Sequence, residues 1–233
     1  MPSRYAIYFA PAAAGPLATR AAAWLGRNAA GGAVPQPVLP GVAPDLLLEA
    51  TGSARRYGFH ATIKAPMRLA TEVVRADLEA ALAEFALAQE RLAIGPLVIR
   101  PIDGFLAIVP RQQSQALTDF AARCVIRFEP FRAPPDAAER QKRQSASLTP
   151  RQADLLERYG YPYVMEEFRF HMTLTDRLPE AERRLLLEAA EAWFAADLGQ
   201  ELWLDRLVLF EEAEPGAPFR RCADYPLSAE VTA

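Results

Sequence analysis

The sequence predicts an α+β fold built as a diverged duplication, with two lobes related by a pseudo-twofold axis, a central cleft and helices on the outside. Three observations support this. Short alternating runs that read as strands are interspersed with longer stretches of helical periodicity. The order strand, helix, strand, strand occurs twice, first from residue 57 and again from residue 167. Each round opens on the same local pattern, Phe59-His60-Ala61-Thr62-Ile63 and then Phe170-His171-Met172-Thr173-Leu174. The likeness is too diverged for a repeat array. At 233 residues the chain is expected to form a single bilobal domain. One lobe, about 1–110, carries His60, and the other, about 111–233, carries His171, with strands able to exchange between them.

The elements follow in order. Residues 4–10 are an aromatic and aliphatic strand. Leu17, Ala21, Trp24 and Leu25 recur at helical spacing, and Gly31-Gly32 is the expected stop. A proline-rich loop runs from Pro35 to Pro44. Residues 57–64 alternate as a strand. Val74, Leu78, Leu82 and Phe85 mark a helix over about 72–90. Strands near 92–100 and 104–109 follow, joined by an Asp103-Gly104 turn. Leu117, Phe120, Cys124 and Phe128 mark the next helix. Residues 132–151, rich in Lys and Arg and poor in large apolar side chains, read as an exposed connection or lid. Thr149-Pro150-Arg151-Gln152 carries the signature of a capped helix start. Residues 167–175 alternate again. Leu185, Ala189, Trp193 and Ala196 mark a last helix, and strands near 201–211 and 218–226 end the chain.

Composition narrows the function. The net charge of −3 gives no global positive field for long nucleic acid or an anionic membrane. A small phosphorylated substrate needs only a local basic patch. No apolar run reaches the roughly 18 residues that span a bilayer. Met1 to Ala14 reads better as a first strand than as a signal peptide, because Pro11 interrupts the apolar stretch. The two cysteines, Cys124 and Cys222, are too few for a disulfide scaffold and are expected to be core fillers in a reducing, cytoplasmic compartment.

The chain contains two histidines, and both fall in the repeated pattern. With nine threonines, chance placement of Thr two residues after each has a probability on the order of one in several hundred. Side chains two apart share a face of a strand. Tyr57, Phe59, Ala61 and Ile63 then face one way, and Gly58, His60, Thr62 and Lys64 the other. In the second segment Phe168, Phe170, Met172 and Leu174 form the apolar face, and Arg169, His171, Thr173 and Thr175 the polar one. A lone strand histidine is usually structural, but two in matched polar faces suit displacement at phosphorus. One imidazole takes a proton from the attacking oxygen and the other protonates the leaving oxygen. Thr62 and Thr173 can donate to the non-bridging oxygens. Lys64 and Arg169 add positive charge, although either can also be a solvated edge charge.

On these motifs the chain resembles the two-histidine (2H) phosphoesterases, defined by paired H-x-T-hydrophobic elements. Three stretches carry a closer similarity to a bacterial branch encoded beside phosphonate-degradation genes: Arg4 to Phe9, Arg56 to Pro66 and Phe168 to Thr175. The resemblance implies two antiparallel sheets facing the cleft, and opening of a cyclic phosphodiester with neither metal nor cofactor. It further suggests a sugar cyclic phosphate such as 5-phosphoribosyl 1,2-cyclic phosphate. The terminal phosphate of such a substrate calls for more cations, with Lys64, Arg169, Arg132 and the Arg140, Lys142, Arg143 group as candidates. That last group also fits a solvated loop. Tyr8 is a candidate to line the cleft.

Three rivals stand beside this reading. A metallohydrolase would use the histidines with carboxylates, but no H-x-H or H-E-x-x-H spacing is present. A nucleotide cyclic phosphodiesterase or an RNA-end or ligase-like enzyme is disfavoured by the net charge but keeps the same motifs. A non-catalytic phosphate-ligand binder would hold the ligand without turning it over.

Overall fold

In the computed structural model, which describes residues 3–135 and 148–228, the chain is an α+β protein. Ten strands and seven α-helices occur among the described residues. Eight strands form one sheet in the order β10-β9-β1-β4-β7-β6-β5-β8, and all its pairings are antiparallel. The outer half comprises β1 (Arg4–Phe9), β4 (Ala61–Met67), β9 (Arg206–Glu212) and β10 (Arg220–Pro226). The other half comprises β5 (Leu92–Ile102), β6 (Phe105–Pro110), β7 (Met172–Thr173) and β8 (Glu201–Leu204). The two antiparallel sheets expected are therefore two halves of one sheet, joined where β4 meets β7. Each half draws strands from both ends of the chain. The β5–β6 hairpin sits beside β7 and the β9–β10 hairpin beside β1, so each half combines strands from before and after residue 110.

Alternation decides which face each strand buries. Ile7 and Phe9 of β1, with Leu207 and Leu209 of β9, enter the main core. Against that face pack α1 (Pro16–Leu25), α4 (Arg75–Leu87), α5 (Gln115–Phe128) and α7 (Glu180–Trp193). Ala6, Tyr8, Val208 and Phe210 point to the other face and pack with Phe219.

Several boundaries differ from expectation. Helix α1 stops at Gly26, whose φ of 73° places it in the left-handed region. Gly32 instead lies in a small ribbon of β2 (Arg27–Asn28) and β3 (Gly32–Ala33). Two short helices, α2 (Pro44–Ala50) and α3 (Gly52–Tyr57), fill the stretch after the proline-rich loop. The buried stripe of α7 runs through Leu186 and Ala190, one position beyond the expected one, and leaves Leu185 exposed. The capped helix start forms as expected in α6 (Pro150–Tyr159): Thr149 Oγ1 accepts from Gln152 N at 3.2 Å and Gln152 Oε1 accepts from Thr149 N at 3.2 Å. Asp103 and Gly104, with φ of 46° and 96°, make the β5–β6 turn. Residues 136–147, which include most of the proposed lid with Arg140, Lys142 and Arg143, lie outside the described residues.

The largest departure lies just before His60. Tyr57 ends α3 instead of opening a strand, and Gly58 follows with φ 79° and ψ 170°. L side chains rarely adopt this conformation. Glu212, 1% exposed, fixes the segment through ion pairs to Arg56 and Arg4 and accepts from Gly216 N at 3.0 Å. A Cβ on Gly58 would lie 2.7 Å from Ala29 Cβ. Gly58→Ala is therefore expected to destabilise the fold by about 1–3 kcal/mol, read as a lower midpoint in urea denaturation.

Candidate functional site

Two strands and one pairing build the centre of the site. The β4–β7 ladder consists of Ala61 opposite Met172, the variable residue of each H-x-T element. Antiparallel register around this pair sets His60 against Thr173 and Thr62 against His171. The histidines become diagonal neighbours, about 7–8 Å apart at their Cα atoms. Their apolar companions face the main core: Phe59, Ala61 and Ile63 from one segment, and Phe168, Phe170, Met172 and Leu174 from the other. The alternation survives in the burial pattern although only Met172–Thr173 is regular strand.

The two imidazoles are held alike. His60 Nδ1 lies 2.8 Å from Gly58 O, and His171 Nδ1 lies 2.7 Å from Arg169 O. A carbonyl can only accept, so each Nδ1 carries a proton and donates it. Each Nε2 is therefore the unprotonated nitrogen of the neutral ring. Thr62 Oγ1 lies 3.3 Å from His60 Nε2.

Both rings sit in a cleft over the sheet joint. A cavity of about 310 Å³ on one side is lined by His60, Tyr8, Tyr57, Thr173 and Asp176. A larger one of about 580 Å³ is lined by His171, Arg169, Arg177, Asp103 and Tyr163. Thr62, Phe105 and Tyr161 line both, so the two are contiguous. Tyr8 is 1% exposed and stacks on His60, with ring centroids 3.7 Å apart and an interplanar angle of 21°. It backs the imidazole more than it opens to the cleft. On the other side the Phe105 ring lies 5.7 Å from that of His171.

Burial lowers the pKa of both histidines. His60 falls from 6.5 to about 4, with the Gly58 carbonyl partly opposing the shift and His171 adding to it. His171 is lowered by burial and by Arg169, against the opposing pull of the Arg169 carbonyl and Asp103. Both rings are then neutral at pH 7, and a bound anion would draw protons onto them.

Two expected cations lie elsewhere. Tyr8 opposes Thr62 but the next residue back, Ile7, opposes Lys64. This extra residue in β4 is a bulge, which re-aims the side chain after it. Lys64, only 3% exposed, therefore turns into the helix side, where Nζ donates to Glu129 at 2.8 Å and Val125 O at 3.3 Å. Arg132 joins the same Glu129 at 2.5 Å, packs its guanidinium under Gly160 and lines neither cavity. Of the described cation candidates, Arg169 alone lines the cleft. Thr175, read on the polar face, is buried and binds Leu106 N at 2.9 Å.

Sequence reading missed several lining residues. Alternation along a continuous strand predicts Tyr57 on the apolar face; the turn at Gly58 swings it to the cleft side, stacked on Phe219 at 4.9 Å. Tyr161 and Tyr163 come from the Tyr159-Gly160-Tyr161-Pro162-Tyr163 turn after α6, whose aromatic density was a usable signal. Arg177 continues the parity of His171, Thr173 and Thr175, and extending that alternation would have reached it. Asp176 is committed locally, accepting from Ser53 N at 2.9 Å and Ala54 N at 3.2 Å. Among the described residues no three His, Cys, Asp or Glu side chains cluster as metal ligands, and no helix is long and apolar enough to cross a membrane. Cys124 is buried, its thiol pushed up to about 12 by burial, while Cys222 is only partly buried.

The fold and site thus define an α+β protein with two reciprocal H-x-T elements in one cleft. The chain belongs to the family described as "Protein of unknown function (DUF1045)", whose model matches residues 62–220. It is 40% identical over 98% of its length to a protein of Janthinobacterium sp. (strain Marseille) named ribose 1,5-bisphosphate phosphokinase PhnN, and 35% identical over 94% to a protein of the same name from Laribacter hongkongensis (strain HLHK9). It covers 51% and 50% of those proteins, so it spans about half the length of these curated relatives. A crystal structure described as a phosphoesterase aligns with 97% of this chain and 99% of its own, at a TM-score of 0.46 and 13% identity.

The His60 shift has a consequence for stability. The unfolded imidazole takes up a proton near 6.5, whereas the folded one resists until about 4. Stability is therefore full above 6.5 and declines as pH falls from 6.5 toward 4. Thermal melts across that window should show a falling midpoint, with a shallower fall in His60→Gln.

Proposed function

We propose that the chain is a phosphoesterase that opens a cyclic phosphodiester by paired-histidine acid–base catalysis. The observation that carries this is the reciprocal register of the two H-x-T elements, with both Nδ1 atoms tied to backbone carbonyls and His60 Nε2 accepting from the hydroxyl of Thr62 at 3.3 Å. A phosphorus atom between the rings meets one imidazole on the side of the attacking water and the other on the side of the departing oxygen. The base takes a proton from water as the new P–O bond forms. The acid gives its proton to the ring oxygen as the old P–O bond breaks, leaving a phosphomonoester. Thr62 and Thr173 donate to the non-bridging oxygens, where charge gathers.

The names of the relatives favour a sugar phosphate. They are phosphokinases named for ribose 1,5-bisphosphate, and this chain matches half of each. Opening 5-phosphoribosyl 1,2-cyclic phosphate at O2 yields a 1,5-bisphosphate, a compound of that description. Opening at O1 would yield the 2,5-isomer, which phosphorus NMR distinguishes. Metal and cofactor have no part in this scheme, so turnover is expected to persist in excess chelator. The paired tyrosines Tyr161 and Tyr163, 5.5 Å apart, make a nucleoside 2′,3′-cyclic phosphate the comparison substrate.

His60→Ala and His171→Ala should each lower kcat by at least about 100-fold, the scale of a lost acid or base, while circular dichroism shows the fold retained. Full turnover in either folded variant would sink the reading. The base must be neutral and the acid charged, so kcat/KM should fall as pH drops through the His60 value of about 4. It should fall again as pH rises through the lowered His171 value, below 6.5. The optimum is expected on the acidic side of 6.5, and a rate that climbs steadily to pH 9 would argue against an acid–base pair.

A further inference from the structure

Arg169 and Arg177 both line the larger cavity on the His171 side. Among the described residues neither guanidinium has an ion-pair or hydrogen-bond partner. This sets them apart from Arg4, Arg56, Arg132, Arg206 and Arg221, each of which is engaged by a carboxylate. The acids beside them do not supply the missing partner: Glu167 accepts from Gln152 at 3.0 Å, and Asp103 lies beyond ion-pair distance of both. The backbones under the two arginines are nonetheless firmly held. Gln113 brackets Arg169, donating to Phe168 O at 3.0 Å and accepting from Phe170 N at 2.7 Å. Around Arg177, Asp176 N donates to Ala50 O at 2.6 Å and Leu178 N donates to Gly104 O at 2.9 Å. The stem of Arg177 also runs along the Gly104 turn.

Two unpaired guanidiniums on anchored backbone line one cavity beside the two histidines; both side chains are exposed, so an anion entering the cavity would order them as it binds. The smaller cavity is built differently, from aromatic rings, threonines and a carboxylate already committed to α3. The cleft is therefore asymmetric where the motifs are nearly symmetric. At about 580 Å³ the larger side is of a size that takes a small metabolite.

We infer that Arg169 and Arg177 form a second phosphate subsite, which binds a phosphate monoester remote from the cyclic phosphate and orients the substrate with its sugar on the His171 side. This deepens the proposed function and rests on it. The substrate class becomes a doubly phosphorylated sugar, one phosphate in the ring and one terminal. A carboxylate, with two oxygens and a single charge, would meet the same donors less well than a phosphate dianion, which offers three oxygens to two forked guanidiniums.

The test compares 5-phosphoribosyl 1,2-cyclic phosphate with ribose 1,2-cyclic phosphate, which lacks the terminal group. The wild-type chain is expected to favour the first in kcat/KM by at least about 100-fold, and Arg177→Ala and Arg169→Ala should each cut that ratio on the order of tenfold or more. Arg177→Lys should recover part of it. Equal kcat/KM for the two compounds, or equal losses on both in each variant, overturns the subsite. Calorimetric titration with ribose 5-phosphate, which carries the terminal phosphate and no ring phosphate, separates this from the parent reading. Binding that weakens in Arg177→Ala supports the subsite even if no cyclic phosphate is opened. Failure to open any cyclic phosphate overturns the proposed catalysis alone, and absence of ribose 5-phosphate binding overturns the subsite alone.

Discussion

The pairing of β4 with β7 is short, a single register pair at Ala61 and Met172, yet it sets how the two H-x-T elements face each other. It joins the two halves of the sheet, and it determines that each histidine faces the threonine of the opposite motif. A slip of one residue in either strand would send His and Thr into the core and the apolar residues into the cleft. What holds the register is the packing behind it. Phe59, Ala61, Ile63, Phe170, Met172 and Leu174 are all buried in the main core, so slipping either strand would bury a charge-capable imidazole and expose that strand's three apolar side chains.

Around this joint the local constraints reinforce one another. Gly58 makes a turn that other residues cannot make without strain, and its carbonyl fixes the His60 tautomer. Glu212 secures the helix end before it by engaging Arg56 and Arg4. Tyr8 stacks on the imidazole from β1. The bulge after Thr62 then sends Lys64 to Glu129, where a buried ion pair ties β4 to α5. The strand thus contributes a polar motif to the cleft and, two residues later, a charged anchor to the helical layer. The same device accounts for the asymmetry of the cleft. With Lys64 and Arg132 committed to Glu129, the positive charge available to a ligand lies on the His171 side.

Much of the site was legible because it is local. The H-x-T elements, the parity of Phe59 with Ala61 and of Phe170 with Met172, the capping box at Thr149 and the Asp103-Gly104 turn all follow from spacing and backbone preference. The errors came where one long-range contact or one backbone angle overrode the pattern. Strict alternation put Lys64 in the cleft and Tyr57 in the core; a bulge reversed the first and the positive φ of Gly58 the second. Arg132 looked free in a basic stretch, but it is held by a carboxylate three residues away. Tyr161 reaches the cleft from a loop, where sequence has no period to reveal a direction.

Sequence alone determined the chemistry on offer: two imidazoles, two hydroxyls, and the apolar backing that forces both motifs to present the same face. Side-chain parity along a strand and the acid–base range of histidine need no tertiary information. Tertiary structure decided which of those groups meet and which cations stay available, by exchanging strands between the halves, pairing β4 with β7, and spending Lys64 and Arg132 on Glu129. Those outcomes depend on register and on competition among distant partners, which are properties of the packed chain and not of any segment of it.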